Sequence, residues 1–199
     1  MTSGQTKGDK TRATILQAGL EVASAEGLEA ITIGRLADRV GLSKSGLFAH
    51  FQSKEQLQLE VLEHGRRSFV EQVAVPALGD PRGEPRLRTL MKHWLGWNQA
   101  TDARGGCIFL QAAAEYDDRA GPIRDRVVEI QRELIEFLVG GAKLCIEEKH
   151  FRTDVDAEQF AFELFSLVMG HHFYIRLLED PAAPDRTRAG FERLMNSAK

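Results

Sequence analysis

A chain of 199 residues can hold one large domain or two small ones, and its 43% hydrophobic and 28% charged residues are ordinary for a globular protein. This composition excludes a disordered or fibrous chain. No run of eighteen apolar residues occurs, and the first ten residues lack the apolar core of a signal peptide, so we expect neither export nor a membrane span, and a cytoplasmic location.

The net charge of -3 is distributed unevenly along the chain. Residues 1–55 carry seven Lys or Arg against six Asp or Glu, whereas the remaining residues carry nineteen against twenty-three. Binding to an acidic partner depends on the local potential at the contacting surface. A negative total charge therefore does not exclude nucleic acid as a partner of the N-terminal part.

The first predicted helix covers residues 9–26. Asp9 is its expected N-cap and Gly27 its expected stop. An inward apolar stripe repeats at helical spacing and comprises Ile15, Ala18, Val22 and Ala25. Together with the two short helices that follow, this helix predicts a three-helix head.

The stretch ITIGRLADRVG predicts a second helix that begins after Thr32 and ends before Gly41. Thr32 can cap its N-terminus, and Gly41 can adopt the left-handed backbone that a tight helical exit requires. The apolar face of this helix consists of Ile33, Leu36, Ala37 and Val40, which indicates packing against a core on one side.

Ser43 is the expected N-cap of a third helix, on which Leu47 and Phe51 stand four residues apart and point into the same core. From Arg39 to Lys54 the chain contains no Asp or Glu, so a phosphate backbone would meet no like charge there. The outer face carries Lys44, Ser45, Ala49 and His50. Two short helices at a sharp turn, with such an outer face, are typical of a helix-turn-helix whose second helix enters the major groove of DNA.

The remaining chain continues with helical periodicity. Ser53 is the expected N-cap of a longer helix that reaches about Val73 and is ended by Pro76. Breaks at Gly, Pro and Asp residues then separate helices over about 84–102, 106–117, 122–149, 155–179 and 185–197. No segment has the period of a strand, so the predicted fold class is all-α.

The segment LSKSGLFAHFQSKEQL resembles the recognition helix and following residues of the TetR family of bacterial transcriptional regulators. The resemblance covers about residues 9–62 and includes Gly27, Thr32 and the Lys54-Glu55 pair. It implies an N-terminal helix-turn-helix DNA-binding domain over residues 1–52 and a helical effector-binding and dimerisation domain over residues 53–199. It also implies a homodimeric regulator, most often a repressor, that binds a pseudo-palindromic operator.

The resemblance implies which residues would contact DNA. Lys44, Lys54 and the backbone amides at Thr32 and Ser43 would hold phosphates, and residues of the third helix would approach the bases. Where the family usually has a tyrosine whose hydroxyl bonds a phosphate, this chain has Phe48, so that contact is missing or is replaced by an apolar contact with a sugar or a thymine methyl. The full expected set is Thr32, Arg35, Ser43, Lys44, Ser45, Gly46, Phe48, Ala49, His50 and Lys54.

The C-terminal part contains more large apolar side chains than are needed to support a head, and family members use a cavity there to bind an effector. Polar groups among the apolar runs would orient such a ligand. Aromatic residues at helical spacing more often form ordinary core, so the hypothesis concerns the region and not each residue. The residues proposed for the pocket of a small, mostly apolar effector are Phe69, His93, Trp94, Trp97, Phe109, Gln111, Glu115, Tyr116, Phe137, Phe162 and His171.

The helix predicted over residues 155–179 is apolar around most of its circumference. One core face cannot use all of its large side chains, and a two-fold partner copy would supply complementary surface. The alternative is a central helix enclosed by its own domain. The expected dimer-interface residues, on this helix and the last one, are Phe165, Met169, Phe173, Phe191, Leu194 and Met195.

Other classes of function have less support. Adjacent residues on a helix point about 100° apart, so His171 and His172 cannot chelate one metal together, and we expect neither a metal nor a cofactor. The sequence shows no catalytic triad and no phosphate-binding glycine loop, which disfavours an all-α enzyme. A DNA-binding protein without a small-molecule effector remains an alternative. Cys107 and Cys145 are expected as reduced thiols, with a redox role for Cys107 left open.

Overall fold

The computed structural model describes residues 6–100 and 106–199, and within those ranges the regular secondary structure is helical without strands. The predicted all-α class is therefore confirmed. The helices are α1 (Lys7–Glu26), α2 (Ile33–Val40), α3 (Lys44–Phe48), α4 (Lys54–Phe69), α5 (Val75–Leu78), α6 (Glu84–Ala100), α7 (Ile108–Tyr116), α8 (Pro122–Glu147), α9 (Ala157–Arg176) and α10 (Ala183–Ser197). A 3-10 turn (Leu28–Ala30) precedes α2, and no helix of the described residues is long and apolar enough to cross a membrane.

The chain forms two compact units. The first comprises Met1–Ser68 and Thr101–Val128, and the second comprises Phe69–Ala100 and Glu129–Lys199. These boundaries follow packing, whereas the division expected at residues 52 and 53 follows function. The functional division stays a prediction.

The start of α1 differs from the prediction. Its N-cap is Thr6 and not Asp9: the Thr6 hydroxyl accepts a hydrogen bond from the Asp9 amide at 3.2 Å, and the Asp9 carboxylate accepts one from the Thr6 amide at 3.0 Å. This reciprocal pair is a capping box, in which the acidic residue stands in the third helical position. The bonds from Thr6 also hold the pKa of Asp9 below its ordinary value.

The core of the first unit is formed by apolar faces of all its N-terminal helices. Ile15, Leu36, Leu47, Phe51 and Leu57 are fully buried. Helix α1 packs closely against α4, since a Cβ added at Gly19 would lie 2.6 Å from Cγ2 of Val61. The three-helix head is thus joined to α4 by the same core.

Pro76 does not end a helix, contrary to the prediction, because helical structure continues through it to Leu78. One turn of π-helix (Val70–Ala74) follows α4, and the Val75 amide donates to the Val70 carbonyl across this wide turn. Pro76 then lies in the first turn of α5, where the amide hydrogen that proline lacks has no intrahelical partner in any case.

Helices α9 and α10 pack against each other in the second unit. Asp156 caps α9 by accepting hydrogen bonds from the amides of Glu158 and Gln159 at 2.9 and 3.0 Å. The two helices approach closely where a Cβ at Gly190 would lie 2.7 Å from Cδ2 of Leu167. This contact buries much of the inner face of α10.

Candidate nucleic-acid interface and ligand region

The helix-turn-helix has the caps that the sequence predicts. The Thr32 hydroxyl accepts from the Arg35 amide at 3.2 Å, and the Ser43 hydroxyl accepts from the Gly46 amide at 3.0 Å. Gly41 ends α2 in the left-handed conformation, with φ 69° and ψ 31°. These three residues fix the angle at which α3 leaves α2.

Helix α3 is shorter than predicted: it ends at Phe48, before Phe51. The following turn returns Phe51 to the core, where its amide donates to the Leu47 carbonyl at 3.2 Å. Both Leu47 and Phe51 are fully buried, as expected. The side chain of Phe48 is 54% exposed, and the remaining outward residues are Lys44, Ser45 and Ala49, with Gly46 and His50 half-buried.

Most cations of this surface are paired with glutamates that are distant in the sequence. Lys54 Nζ lies 2.8 Å from Glu29 Oε2, and Arg39 Nη2 lies 2.8 Å from Glu21 Oε2. Arg35 pairs in the same way with a glutamate of α1, Glu26. Lys44 has no acidic partner among the residues described. A count of charges in one sequence window predicts the cations but not their partners.

Glu29 links Lys54 to α7. Lys54 donates to the carboxylate and also to the carbonyl of Glu29, and the Tyr116 hydroxyl donates to Glu29 Oε1 at 2.6 Å. The hydrogen bonds from Lys54 and Tyr116 lower the pKa of Glu29 to about 2. Burial, followed by the adjacent Glu29 carboxylate, raises the pKa of the Tyr116 phenol above its ordinary value. Tyr116 therefore stays a neutral donor.

Glu115 caps the 3-10 turn that leads into α2. Its carboxylate accepts hydrogen bonds from the amides of Leu28 at 2.7 Å and Glu29 at 3.0 Å. Gln58 supports the same turn by donating to the Leu28 carbonyl at 2.8 Å. Gln111, the neighbouring pocket candidate on α7, donates to the Ser24 carbonyl at 2.9 Å. The expected pocket residues of α7 thus have structural partners in the N-terminal helices.

Arg12 is a supporting residue of the interface that sequence reasoning missed. From α1 it donates to the His50 carbonyl at 2.7 Å, pairs with Glu60, and lies 4.5 Å from the ring centroid of Phe51. It therefore fixes the chain immediately after α3. No local pattern could identify it, because its partners stand about forty residues away.

An aromatic cluster lies in the second unit and contains three of the expected pocket residues. The ring of Phe69 meets Trp94 and Trp97 edge-on at 5.6 and 5.1 Å between centroids, and Phe165 lies 6.4 Å from Trp94. His172 follows Phe165 by seven residues on the same face of α9. Its buried Nδ1 has no hydrogen-bond partner in the described part of the chain, and burial lowers its pKa. We define Phe69, Trp94, Trp97, Phe165 and His172 as the aromatic cluster.

The other expected pocket residues differ in their surroundings. His171 is buried and bonded through Nδ1 to the Thr187 hydroxyl at 3.0 Å. Phe162 is 64% exposed, Phe137 lines a separate cavity, His93 is half-buried on α6, and Phe109 is buried on α7. No group of three or more possible metal ligands occurs in the described ranges. Burial raises the pKa of Cys107 to about 11, which keeps this thiol protonated and poorly reactive.

The expected dimer residues divide into two groups. Phe191, Leu194 and Met195 are buried within their own unit, and Phe165 contacts Trp94. Met169 and Phe173 are exposed and lie on one side of α9 in a stripe that continues to other exposed apolar residues, namely Phe162, Tyr174 and Leu177. We call these five residues the α9 stripe.

Two family models match the chain. Residues 15–61 match the model described as bacterial regulatory proteins, tetR family, and residues 83–191 match the model described as tetracyclin repressor-like, C-terminal domain. The nucleoid occlusion factor SlmA of Salmonella dublin is 30% identical over 140 residues, which cover 69% of this chain and 71% of that protein. The HTH-type transcriptional repressor BepR of Brucella suis is 24% identical over 166 residues, covering 81% and 78%.

Solved structures share the fold. A TetR-family transcriptional regulator from Cytophaga hutchinsonii superimposes with a TM-score of 0.84 at 21% identity, covering 99% of this chain and 98% of that one. The structure of AibR in complex with isovaleryl coenzyme A and operator DNA superimposes with a TM-score of 0.64 at 23% identity, covering 84% and 85%.

Proposed function

Since the chain belongs to the TetR family and is a DNA-binding transcriptional regulator, we propose that it is a ligand-responsive repressor that binds a pseudo-palindromic operator as a homodimer. A small, mostly apolar effector would release it. A regulator of this kind works where the chromosome is, so the proposed location is the cytoplasm. The observation that carries the proposal is the outward face of α3, a helix whose N-terminus is capped by Ser43 and whose inward residue Leu47 is buried.

The residues of α3, and Ala49 and His50 in the turn that follows it, each have a part in the proposed DNA contact. Lys44, which has no acidic partner among the described residues, would bind a phosphate directly. Ser45, Gly46, Ala49 and His50 would approach base edges or the backbone in the major groove. Phe48 would make an apolar contact with a sugar or a thymine methyl. Thr32 and Ser43, with their amides at the starts of α2 and α3, would face phosphates.

Arg35 and Lys54 are both paired with glutamates. To contact DNA, each would either bind a phosphate in addition to its glutamate or leave the glutamate for the phosphate. Exposed ion pairs of this type contribute about 1 kcal/mol or less, so a phosphate can compete for the cation. The pairs would therefore orient both side chains before binding, without preventing contact with the DNA backbone.

The α9 stripe supports the homodimer. Its five large apolar side chains are all exposed in the single chain, and clusters of exposed apolar residues mark sites of association. Two copies related by a two-fold axis would bury the same stripe on each side. Two heads would then meet successive major grooves of a pseudo-palindrome.

The aromatic cluster supports the effector. Ligand sites are lined mainly by apolar and aromatic side chains with a few polar groups, and His172 offers a buried nitrogen without a partner among the described residues. The related fold of AibR was solved with both a coenzyme A thioester and operator DNA. Effector binding would favour a conformer that fits the operator poorly, and DNA would weaken effector binding by the same factor.

A second candidate is a DNA-binding protein that acts without a small-molecule effector. It is favoured by one observation, the 30% identity to a protein named for nucleoid occlusion rather than repression. An enzyme has less support, because the carboxylate of Glu115 caps backbone amides and His171 is bonded to Thr187. A compound that binds the chain and changes its operator affinity would favour the repressor over both alternatives.

The test of DNA binding is fluorescence anisotropy of labelled duplexes that flank this protein's own gene. The wild type should bind one fragment tightly with a steep salt dependence. Lys44→Ala should weaken binding and reduce the salt slope by about 2, because each of the two heads loses one phosphate contact. Lys143→Ala removes an exposed lysine of α8 and serves as the control. If wild type and Lys44→Ala bound every fragment with equal affinity, the proposed contact between α3 and DNA would be wrong.

A further inference from the structure

A cavity lies in the second compact unit and is lined by none of the residues of the aromatic cluster. Its volume is about 310 Å³, and it is enclosed by α5, α6 and α8. Its floor is formed by Leu87, Leu90 and Leu144, and the ring of Phe137, which is 39% exposed, lies at its edge. A cavity of this size and lining falls at the small end of the range for ligand sites.

Gly140 belongs to the lining of this cavity, and no contact among the described residues requires a glycine at this position. Gly140 and Gly141 lie in the interior of α8, where glycine is an unfavourable residue. A Cβ at Gly141 would lie 2.9 Å from Cδ2 of Leu87, so the close approach of α6 accounts for that glycine. A Cβ at Gly140 would meet nothing within 4 Å. The missing side chain at position 140 therefore leaves room in the cavity without relieving any contact.

Arg86 gives the cavity a single charged group. Its Nε donates to the Asp80 carbonyl at 2.9 Å, which fixes the guanidinium at the lining. No carboxylate within the described ranges pairs with it, and the Asp80 carboxylate is bonded to Thr89 instead. The terminal nitrogens of Arg86 remain available to an anion, and a guanidinium suits a carboxylate because it can donate two parallel hydrogen bonds.

We propose that this cavity binds a small amphiphilic carboxylate, with its hydrocarbon chain against the leucine floor and its anionic group at Arg86. Among the described residues, none with an acidic side chain belongs to the lining, so none would oppose an anion there. The site shares no residue with the aromatic cluster, and its test requires no DNA. A failure here would leave the proposed regulatory function unaffected.

The test uses decanoate below its micelle concentration, titrated into the full chain in a calorimeter, with 1-decanol and decyltrimethylammonium as probes of equal chain length. Decanoate should bind with one site per chain, decanol about tenfold more weakly, and the cation not at all. Arg86→Met should reduce decanoate affinity about tenfold while leaving decanol binding unchanged. Equal binding of decanoate to wild type and Arg86→Met would overturn the assignment of Arg86.

Gly140→Leu tests the cavity itself. A Cβ at this position would meet no atom within 4 Å, and leucine is a better helix former than glycine. The variant should therefore unfold at a higher temperature than wild type and yet lose decanoate binding. Gly96→Leu, at a glycine of α6 that is also open but does not line this cavity, should keep decanoate binding. Decanoate binding that survives Gly140→Leu, or that is absent from the wild type, would overturn the proposal.

Discussion

At the residue scale, Phe48 is the position where the chain departs from the family pattern, and the structure leaves its ring 54% exposed on α3. Phe48→Tyr would add a hydroxyl without burying it. We expect operator affinity to rise at least about twenty-fivefold, because each of the two heads would gain one hydrogen bond to a phosphate, worth about 1 kcal/mol or more. Anisotropy on the operator duplex measures this, with Phe48→Leu, which changes the same side chain without adding a hydroxyl, as the control. Unchanged affinity would show that the hydroxyl finds no phosphate.

Glu29 carries the strongest pH-dependent interaction of the head. Its pKa falls from an ordinary 4.5 to about 2, so its stabilising contribution is complete above the ordinary value and is lost as the pH falls toward 2. With the side chain 45% exposed, Glu29→Gln should reduce the free energy of unfolding at pH 7 by about 1 kcal/mol.

Urea denaturation measures this effect between pH 7 and pH 3. The difference between wild type and Glu29→Gln should shrink as the pH falls below 5. Glu136→Gln removes an exposed glutamate of α8 and should change stability little at any of these pH values. A difference that stays constant with pH would show that Glu29 does not act through its charge.

At the element scale, Gly41 and Gly96 form a matched pair. A Cβ at either position would meet nothing within 4 Å, but Gly41 has a φ of 69° whereas Gly96 lies within a regular helix. Gly41→Ala should destabilise the protein by about 1 kcal/mol because of backbone strain. Gly96→Ala should stabilise it by about 0.5 to 1 kcal/mol because alanine is the better helix former. Thermal unfolding of both variants tests this, and a destabilising Gly96→Ala would contradict it.

Local chemistry predicted the helix ends of the helix-turn-helix but not every boundary. Thr32, Gly41 and Ser43 act within three residues of their partners, so their roles are visible in the sequence. Pro76 predicted a helix end, and this prediction was wrong. The π-helical turn over Val70–Ala74 places Pro76 in the first turn of a new helix, and the sequence around Pro76 does not show that turn. The cap of α1 was placed one turn late, since Asp9 can fill either place in a capping box.

At the scale of the whole molecule, partners that are distant in the sequence were beyond prediction. The cations near α3 were identifiable, but the pairing of Lys54 with Glu29 and the support that Arg12 gives to His50 depend on the assembled head. Likewise, the periodicity of the sequence indicated that α9 is apolar on most sides, but not which side is exposed on the single chain. Only packing distinguishes buried Phe191 from exposed Phe173.

The α9 stripe leads to the prediction for the assembled regulator. Phe173 is 50% exposed in the single chain, so Phe173→Glu should leave each chain folded. In an isologous dimer the change occurs twice in one apolar interface, and the desolvated carboxylates should weaken dimerisation by more than about a hundredfold. A monomer presents one head, so operator affinity should fall toward its non-specific level.

Sedimentation equilibrium and operator anisotropy on the same preparations test both consequences. Val75→Glu, at a residue that is 52% exposed on α5, is the matched control and should remain dimeric. If Phe173→Glu stays dimeric and binds the operator as the wild type does, another surface joins the protomers. If it is monomeric yet binds the operator fully, one head suffices for recognition, and the spacing of two heads cannot be what an effector changes.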